Sequence, residues 1–357
     1  MQFLLKYKKR VALLFFCLVF ISTSAFVYQQ MLPNAAENTE SDLMLFRDLR
    51  QSKLESYFET LRSEIIFWSG NGEIRLLLES MNEAWVKLGS DSASNLQKKY
   101  TDKSINGASG DTDYDYLHSA LHTIFSQFQK ARGYYDVLLI DAKGNIIYSI
   151  EKEADFATNL IDGPWKDTSL AAIVKVIINE KKTDTVKFSD FSSYDPSQGK
   201  PALFVASSIS DIDGELMGVL VFQVPNSAIN KIMQVTTGMG ETGETYIVGK
   251  DFLMRSQSRF SQTSSVLKTR VETEPVKKAL QGESGALKTL DYRGVEVFSA
   301  YGDFKFDKTT WAVLAEIDRD EILQPVMLGF LYCLAGIFLL MLLISMLLFL
   351  SYRWVLR

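Results

Sequence analysis

The sequence predicts an α+β protein: two modules, each an antiparallel sheet with helices, stand on a long N-terminal helix between two transmembrane helices. Three observations lead to this prediction. Apolar blocks lie at both ends of the 357-residue chain, a helical stripe follows the first block, and the order of strands and helices is repeated once.

The two apolar blocks predict the transmembrane helices. They fall within residues 11–30 and 325–352, and a helix needs roughly 20 apolar residues to cross a bilayer. Lysine and arginine precede the first block and follow the second, so residues 1–10 and 353–357 are expected in the cytoplasm. The main domain is then expected on the outer, periplasmic or extracellular, side of the membrane. The first block also fits a cleaved signal peptide, which would export the same domain.

Composition argues against several classes of protein. The net charge of −5 offers no attraction to nucleic acid. The two cysteines, Cys17 and Cys333, lie in the predicted spans, so we expect no disulfide in the exported domain. The sequence has two histidines and no nucleophile elbow, and it therefore predicts neither an enzyme nor a cofactor.

A long membrane-proximal helical region is predicted over residues 31–88. Its apolar side chains recur at steps of four and three, which is typical of one helix face: Leu54, Phe58, Leu61, Ile65 and Trp68. This face packs on its own domain, on a second copy of the chain, or on both. Residues 89–114 are rich in Ser, Gly, Asn and Asp and predict a loop, and a second helix follows.

The repeat defines the two modules. With the loop and helix that precede it, the membrane-distal module is predicted over residues 89–237, and the membrane-proximal module over 238–324. Each begins with a strand, a turn and a second strand, continues through a helix into further strands, and ends at a strand that leads into a helix. We expect the helices of each module on one side of its sheet.

Five segments carry a resemblance to the double Cache (dCache) sensors of chemoreceptors, histidine kinases and nucleotide cyclases. They are GYYDVLLIDAKGNIIYS, KEADFATNLIDGPW, FSDFSSYDPSQGKPALFVASSI, GETGETYIVGKDFLMRSQSRF and WAVLAEID. The resemblance implies two PAS-like Cache modules, a small ligand in the distal module, a homodimer, and transfer of the signal to the second span.

The sequence departs from this family in two respects. Family members usually continue into an output domain, whereas this sequence ends at Arg357, so we expect the output to come from a separate cytoplasmic output protein or from a lost C-terminal extension. The amino-acid-binding members carry an Arg-x-Trp-Tyr signature, and here Trp165 stands in GPWKDTSL without that Arg or Tyr. Recognition of amino acids is therefore not predicted.

The ligand is expected against aromatic and acidic side chains of the distal module. Most of the weight of this prediction comes from the resemblance, because aromatic residues in strands commonly belong to a core. The candidate ligand-binding residues are Trp165, Asp190, Tyr194, Phe204, Tyr148 and Asp136. The aromatic rings would supply walls, and Asp190 would accept from an ammonium or hydroxyl group.

Two further motifs are given structural interpretations. Gly238–Gly243 matches G-x-G-x-x-G, but a helix precedes it and a strand follows, which is the reverse of a dinucleotide site. His118 and His122 lie four residues apart, with Asp111, Asp113 and Asp115 nearby, but two histidines do not complete a zinc site. We predict no metal.

The sequence thus predicts the small-molecule sensor of a bacterial transmembrane signalling receptor, serving signal transduction or chemotaxis. A ligand with different affinities for two states would shift their populations and move the second span. The alternative is a membrane-tethered ligand-binding or accessory protein that works with a separate partner.

Overall fold

The computed structural model describes residues 2–89, 92–100 and 112–355, with side chains at 17–31, 33–89, 93–100, 112–347 and 349–350. The described helices are α1 Gln2–Ser69, α2 Gly72–Lys87, α3 Ser92–Tyr100, α4 Asp113–Arg132, α5 Ser169–Glu180, α6 Asn226–Met233, α7 Glu274–Leu280 and α8 Arg319–Val355. The strands are β1 Asp136–Asp141, β2 Ile146–Ser149, β3 Val186–Phe188, β4 Ser192–Tyr194, β5 Lys200–Ser210, β6 Leu216–Pro225, β7 Glu244–Val248, β8 Gly285–Leu290, β9 Glu296–Phe306 and β10 Thr309–Asp318.

The strands form two antiparallel sheets with a shared order. The first sheet runs β2-β1-β6-β5-β3, with β4 also paired to β5, and the second runs β7-β10-β9-β8. The sequence predicts a second strand after β7, as in the first sheet. In the described chain that segment instead makes isolated bridges, Val248 to Met254 and Leu253 to Arg270.

Helices cover both faces of the first sheet, which corrects the prediction of helices on one side. Val137 and Leu139 of β1 belong to the core that contains Leu54 of α1 and Phe125 of α4. Leu138 and Ile140 point to the opposite face, into a core with α5. Because neighbouring residues of a strand face opposite ways, a strand buried on both faces is apolar along its length.

The apolar face of α1 contacts both sheets. Phe58 packs against Phe188 of β3 at a ring-centroid distance of 5.5 Å and against Phe306 of β9 at 4.3 Å. The helix continues past Pro33 and ends at Ser69. Asn71 then caps α2, because its side chain accepts from the amides of Glu73 and Ile74.

The predicted loop over residues 89–114 contains a helix, α3, in its described part. Its remaining residues lie largely outside the described chain. The acidic residue Asp111, considered above as a metal ligand, also lies outside it.

The last strand, β10, runs directly into α8. Within α8, residues Arg319–Leu347 are long and apolar enough to cross a membrane. The predicted first span, residues 11–30, lies within α1, where side chains are described from residue 17 onward. That span remains a prediction.

Candidate ligand-binding site

A buried acidic cluster lies beside the α5 face of the first sheet. We define it by Asp136 at the start of β1, Glu153 and Asp155 in the loop after β2, Tyr194 at the end of β4, Ser197, and Gln223 of β6. Asp136 and Gln223 are cross-strand neighbours in the β1–β6 pair. Gln223 donates to Ser197 at 3.1 Å, and Ser197 in turn donates to Glu153.

Asp155 is the member of this cluster with unused bonding capacity. Its side chain is 3% exposed, and its Oδ2 accepts from the Tyr194 hydroxyl at 2.6 Å. Its Oδ1 is buried without a hydrogen-bond partner among the described residues. The amides of Asp155 and Phe156 also favour the charged form of this carboxyl. A buried acceptor left unpaired costs about 1–3 kcal/mol, so this oxygen is suited to receive a donor from a ligand.

Burial controls the charge of Asp155. Removal from water raises the pKa of its carboxyl to about 6, although the Tyr194 hydrogen bond acts in the opposite direction. At pH 7 most molecules therefore carry a carboxylate there. No lysine or arginine of the described chain forms an ion pair with it, so a cationic or hydroxyl-bearing ligand would meet no competitor.

Asp136 is fully occupied by contrast. Its Oδ2 accepts from Ser149 at 2.6 Å, and its Oδ1 accepts from the amides of Ile150 and Val137 at 2.8 and 2.7 Å. Burial raises the pKa of this carboxyl to about 8. Through these hydrogen bonds the side chain holds the turn after β2 in place. Neither of its oxygens is free to accept from a ligand.

The structure brings four of the six predicted residues to the same region. Tyr194 and Phe204 are fully buried, with ring centroids 4.9 Å apart. Trp165 is partly buried against the same core, and its indole donates to Ala154, the residue before Asp155, at 3.1 Å. Of these four residues, Tyr194 contacts Asp155 directly, and Asp136 lies near enough to interact with its charge. Ligand binding by any of them remains a prediction.

The predicted grouping of Tyr148 with these residues is corrected by the fold. Tyr148 belongs to the core on the α4 side, where its hydroxyl lies 3.3 Å from His122 Nδ1 and its ring lies 5.3 Å from the His118 ring. Its hydroxyl therefore points away from Tyr194. A short strand such as β2 gives little sequence information about which of its residues faces which helix.

Asp190 is also separated from the cluster. Its carboxylate accepts from Arg255 Nε and Nη2 at 3.0 and 2.9 Å, and from the Trp311 indole at 2.8 Å. Both donors belong to the second module. Asp190 thus joins the two modules, and its acceptors are occupied by the protein itself.

The sequence analysis missed Asp155, Glu153, Ser197 and Gln223. Asp155 stands in KEADFATNL, one of the segments that carry the resemblance, but nothing in its spacing distinguishes it from nearby acids. Its partner Tyr194 is 39 residues away, so a tertiary contact defines its role. The positive φ angles of Lys152 and Ala157 show that this loop follows an unusual path, which no local pattern predicts.

The structure also places the two remaining motifs. Gly238 and Gly240 have φ angles of 80° and 64°, as a turn between α6 and β7 requires. His118 and His122 are buried with near-parallel rings 5.6 Å apart. Among the described residues, no group of three or more His, Cys, Asp or Glu side chains is arranged to hold a metal.

The chain thus has two sheets with the same strand order on a shared helix, and the first sheet carries a buried polar cluster. This is the arrangement of two-module sensor domains. The chain belongs to the Cache domain family: the double Cache profile, dCache_1, matches residues 27–326. No curated protein matches the sequence. Cache sensor domains bind ligands and are not catalytic.

Solved structures of sensor domains are similar to this chain to different degrees. The extracellular domain of the histidine kinase vpHK1S-Z8 superposes with a TM-score of 0.52 at 9% identity, covering 82% of this chain and 96% of that one. The sensory domain of the Campylobacter jejuni chemoreceptor Tlp3 (CcmL) gives 0.48 at 13% identity, covering 81% and 97%. The ligand-binding domain of the Pseudomonas fluorescens chemoreceptor CtaA, solved with L-serine, gives 0.39 at 11%, covering 81% and 99%.

Proposed function

We propose that this chain is the extracytoplasmic small-molecule sensor of a bacterial transmembrane signalling receptor, with its ligand bound at Asp155 in the first module. The observation that carries this proposal is the buried, unpartnered Oδ1 of Asp155 beside Tyr194 and Trp165. A ligand with an ammonium or hydroxyl group would donate to that oxygen, and the aromatic rings would form its walls.

The proposed topology places both termini in the cytoplasm. Support comes from the basic flanks of the two apolar blocks and from the apolar length of α8. The two helices also lie side by side, with rings of Tyr28 and Phe330 at 5.5 Å and of Phe20 and Phe338 at 6.5 Å. Residues 238–324 would then be the membrane-proximal module, because β10 leads directly into α8.

A homodimer through α1 and a cytoplasmic output protein complete the proposal. The outer side of α1 exposes Leu45, Leu49 and Phe67, which a second copy would cover. Ligand binding would favour one position of α8, since a ligand shifts an equilibrium by its difference in affinity for the two states. The output protein would read that position.

The test measures the melting temperature of the full chain in detergent against a panel of primary amines, amino acids, carboxylates and sugars. A ligand at 100 times its Kd stabilises the folded state by about 2.7 kcal/mol. We expect an amine or a hydroxyl compound to raise Tm, and Asp155→Asn to abolish the rise. Asp162→Asn, an exposed acid of the same loop region, is the matched control.

A panel without any Tm shift, or a shift that survives Asp155→Asn undiminished, would overturn the proposal. The signalling part has its own readout. Spin labels on Cys17 and Cys333, the two native cysteines, report the distance between α1 and α8. A ligand that binds without changing this distance would favour the tethered accessory protein instead.

A further inference from the structure

A second polar pocket lies on the α4 side of the first module, away from Asp155. It is a cavity of about 220 Å³ between α4 and the turn that follows β2. From α4, the cavity is lined by His122, Ser126, Gln129 and the exposed Lys130, and Lys152 lines it from the turn. Positions 118, 122 and 126 share one face of α4 because they recur at steps of four, so a polar stripe faces this turn.

Lys152 is a buried amine without a carboxylate partner. The residue is 5% exposed, and its Nζ donates to the Ile150 carbonyl at 3.2 Å. Asp136 and Glu151 act on it electrostatically, but no carboxylate of the described chain lies within ion-pair distance. An ammonium group buried without an anion is costly, so burial lowers the pKa of this amine.

The neighbouring histidines add unused hydrogen-bonding capacity. His118 is fully buried, and neither ring nitrogen has a partner among the described residues. His122 places Nδ1 near the Tyr148 hydroxyl, which leaves Nε2 for another group. Burial, reinforced by the charge of Lys152, lowers the pKa of His118 to about 3 and that of His122 to about 4. Both rings are therefore neutral donors or acceptors at pH 7.

The backbone holds Lys152 in an unfavourable conformation. Its φ is 50°, in the left-handed region that favours glycine, and its amide donates to Ser149 Oγ at 2.8 Å. A non-glycine residue there costs of order 1 kcal/mol or more, and such strain concentrates where a side chain must be aimed. In this turn it directs the lysine inward, beneath the ring of Tyr100 at 5.9 Å from Nζ.

We propose that this pocket binds the carboxylate of a small monoanion, with Lys152 as the charged donor and His122 and Ser126 as neutral donors. The volume equals that of about seven waters at roughly 30 Å³ each, which accommodates an acid of a few carbon atoms. Glu151 also lines the cavity, and its charge disfavours a dianion such as phosphate. The bound carboxylate would supply the counter-charge that Lys152 lacks.

The experiment uses the full chain in detergent at pH 7, with sodium acetate, lactate and pyruvate compared against sodium chloride at equal ionic strength. We expect at least one carboxylate to raise Tm above the chloride value, and Lys152→Met to lower its affinity about tenfold or more, as loss of a charged hydrogen bond predicts. Lys143→Met, at an exposed lysine of the β1–β2 turn, should respond like the wild type.

A second variant guards against a general effect on folding. Ser126→Ala removes one neutral donor and should weaken carboxylate binding while leaving Tm in chloride unchanged. Lys152→Met should raise Tm in chloride, since it removes an unpaired buried charge. If no carboxylate raises Tm above the chloride value, the pocket is not a carboxylate site. The same conclusion follows if a carboxylate raises the Tm of Lys152→Met as much as that of Lys143→Met. Asp155→Asn should leave the response intact, so this proposal and the proposed function fail separately.

Discussion

Glu244 of β7 and Glu316 of β10 lie directly opposite each other in the second sheet, and both side chains are buried. Glu244 accepts from the Tyr292 hydroxyl at 2.5 Å. Glu316 Oε1 accepts from Ser299 at 2.7 Å, while its Oε2 is without a partner among the described residues. Like charges directly opposite on neighbouring strands are destabilising, so this pair favours holding a proton.

At the equivalent pair of positions, the first sheet has one carboxyl side chain instead of two. Asp136 at the start of β1 lies opposite Gln223 of β6, whereas Glu244 at the start of β7 lies opposite Glu316 of β10. An amide stands where the second sheet has a second carboxyl. Glu316→Gln would therefore give the second sheet the arrangement of the first.

We predict that Glu316→Gln stabilises the protein increasingly as pH rises. Burial raises the pKa of Glu316 from 4.5 to about 8. The folded state then binds more protons than the unfolded state between these values, so its free energy of unfolding falls as pH rises from about 4.5 to about 8. The variant lacks this loss, which amounts to about 1.36 kcal/mol per pKa unit at most. Urea unfolding from pH 5 to 8.5 measures the difference.

Other groups around Glu316 could also titrate and are accounted for by a control. Glu244 and Tyr246 face it from β7, and Asp291 and Arg293 lie at the turn between β8 and β9. All of them remain in the variant, so they affect both curves. Glu241→Gln, an exposed acid near β7, should leave the pH profile unchanged. If the free energies of unfolding of Glu316→Gln and the wild type change with pH in parallel, Glu316 does not hold the proton that we assign to this pair.

We predict that Asp190→Ala destabilises the protein by about 2–4 kcal/mol, because it leaves two donors without their acceptor. Arg255 has a side chain only 4% exposed and would keep Asp251 and the Leu253 carbonyl but lose its second carboxylate, and the Trp311 indole would lose its partner. Urea unfolding at neutral pH gives the value, with Asp213→Ala at an exposed turn as control. A cost below about 0.5 kcal/mol would mean that the link between the modules is not energetically important.

We predict that Gly240→Ala loosens the start of α8. Glu321, in the first turn of α8, accepts from the amides of Glu241 and Thr242 at 2.7 Å each. A Cβ on Gly240 would lie 2.1 Å from Glu321 Oε1, so that carboxylate would have to move. Hydrogen exchange at the amides of residues 241 and 242 should therefore become faster.

Gly294→Ala, in the turn between β8 and β9, is the control for an alanine at a positive φ angle. Gly294 has a similar positive φ of 78°, but nothing lies within 4 Å of its added Cβ. The two substitutions share the backbone strain and differ in the clash. If exchange at residues 241 and 242 is no faster in Gly240→Ala than in Gly294→Ala, the clash with Glu321 does not loosen these amides and the proposed role of Glu321 is removed.

The periodic elements of this fold could be predicted from the sequence, but few residues of the candidate ligand-binding site could. The stripe from Leu54 to Trp68 predicted the helix face that packs on the sheets, since a helix repeats its apolar positions locally. The repeated order of elements predicted two sheets of one topology. Asp190 shows the limit, because its partner Arg255 lies 65 residues further along the chain, and a strand acid gives no signal for that pairing.

We predict that Phe58→Ala costs about 3–5 kcal/mol, the usual range for removing a buried aromatic ring from a core. Phe58 is 5% exposed, and its ring contacts one aromatic residue of the first sheet and three of the second, Phe188, Phe304, Phe306 and Trp311. The cavity would therefore open where α1 holds the two sheets together. Phe67→Ala, at a 65% exposed position of the same helix, should cost far less. Urea unfolding followed by tryptophan fluorescence compares the two, and equal costs would show that α1 does not join the sheets through Phe58.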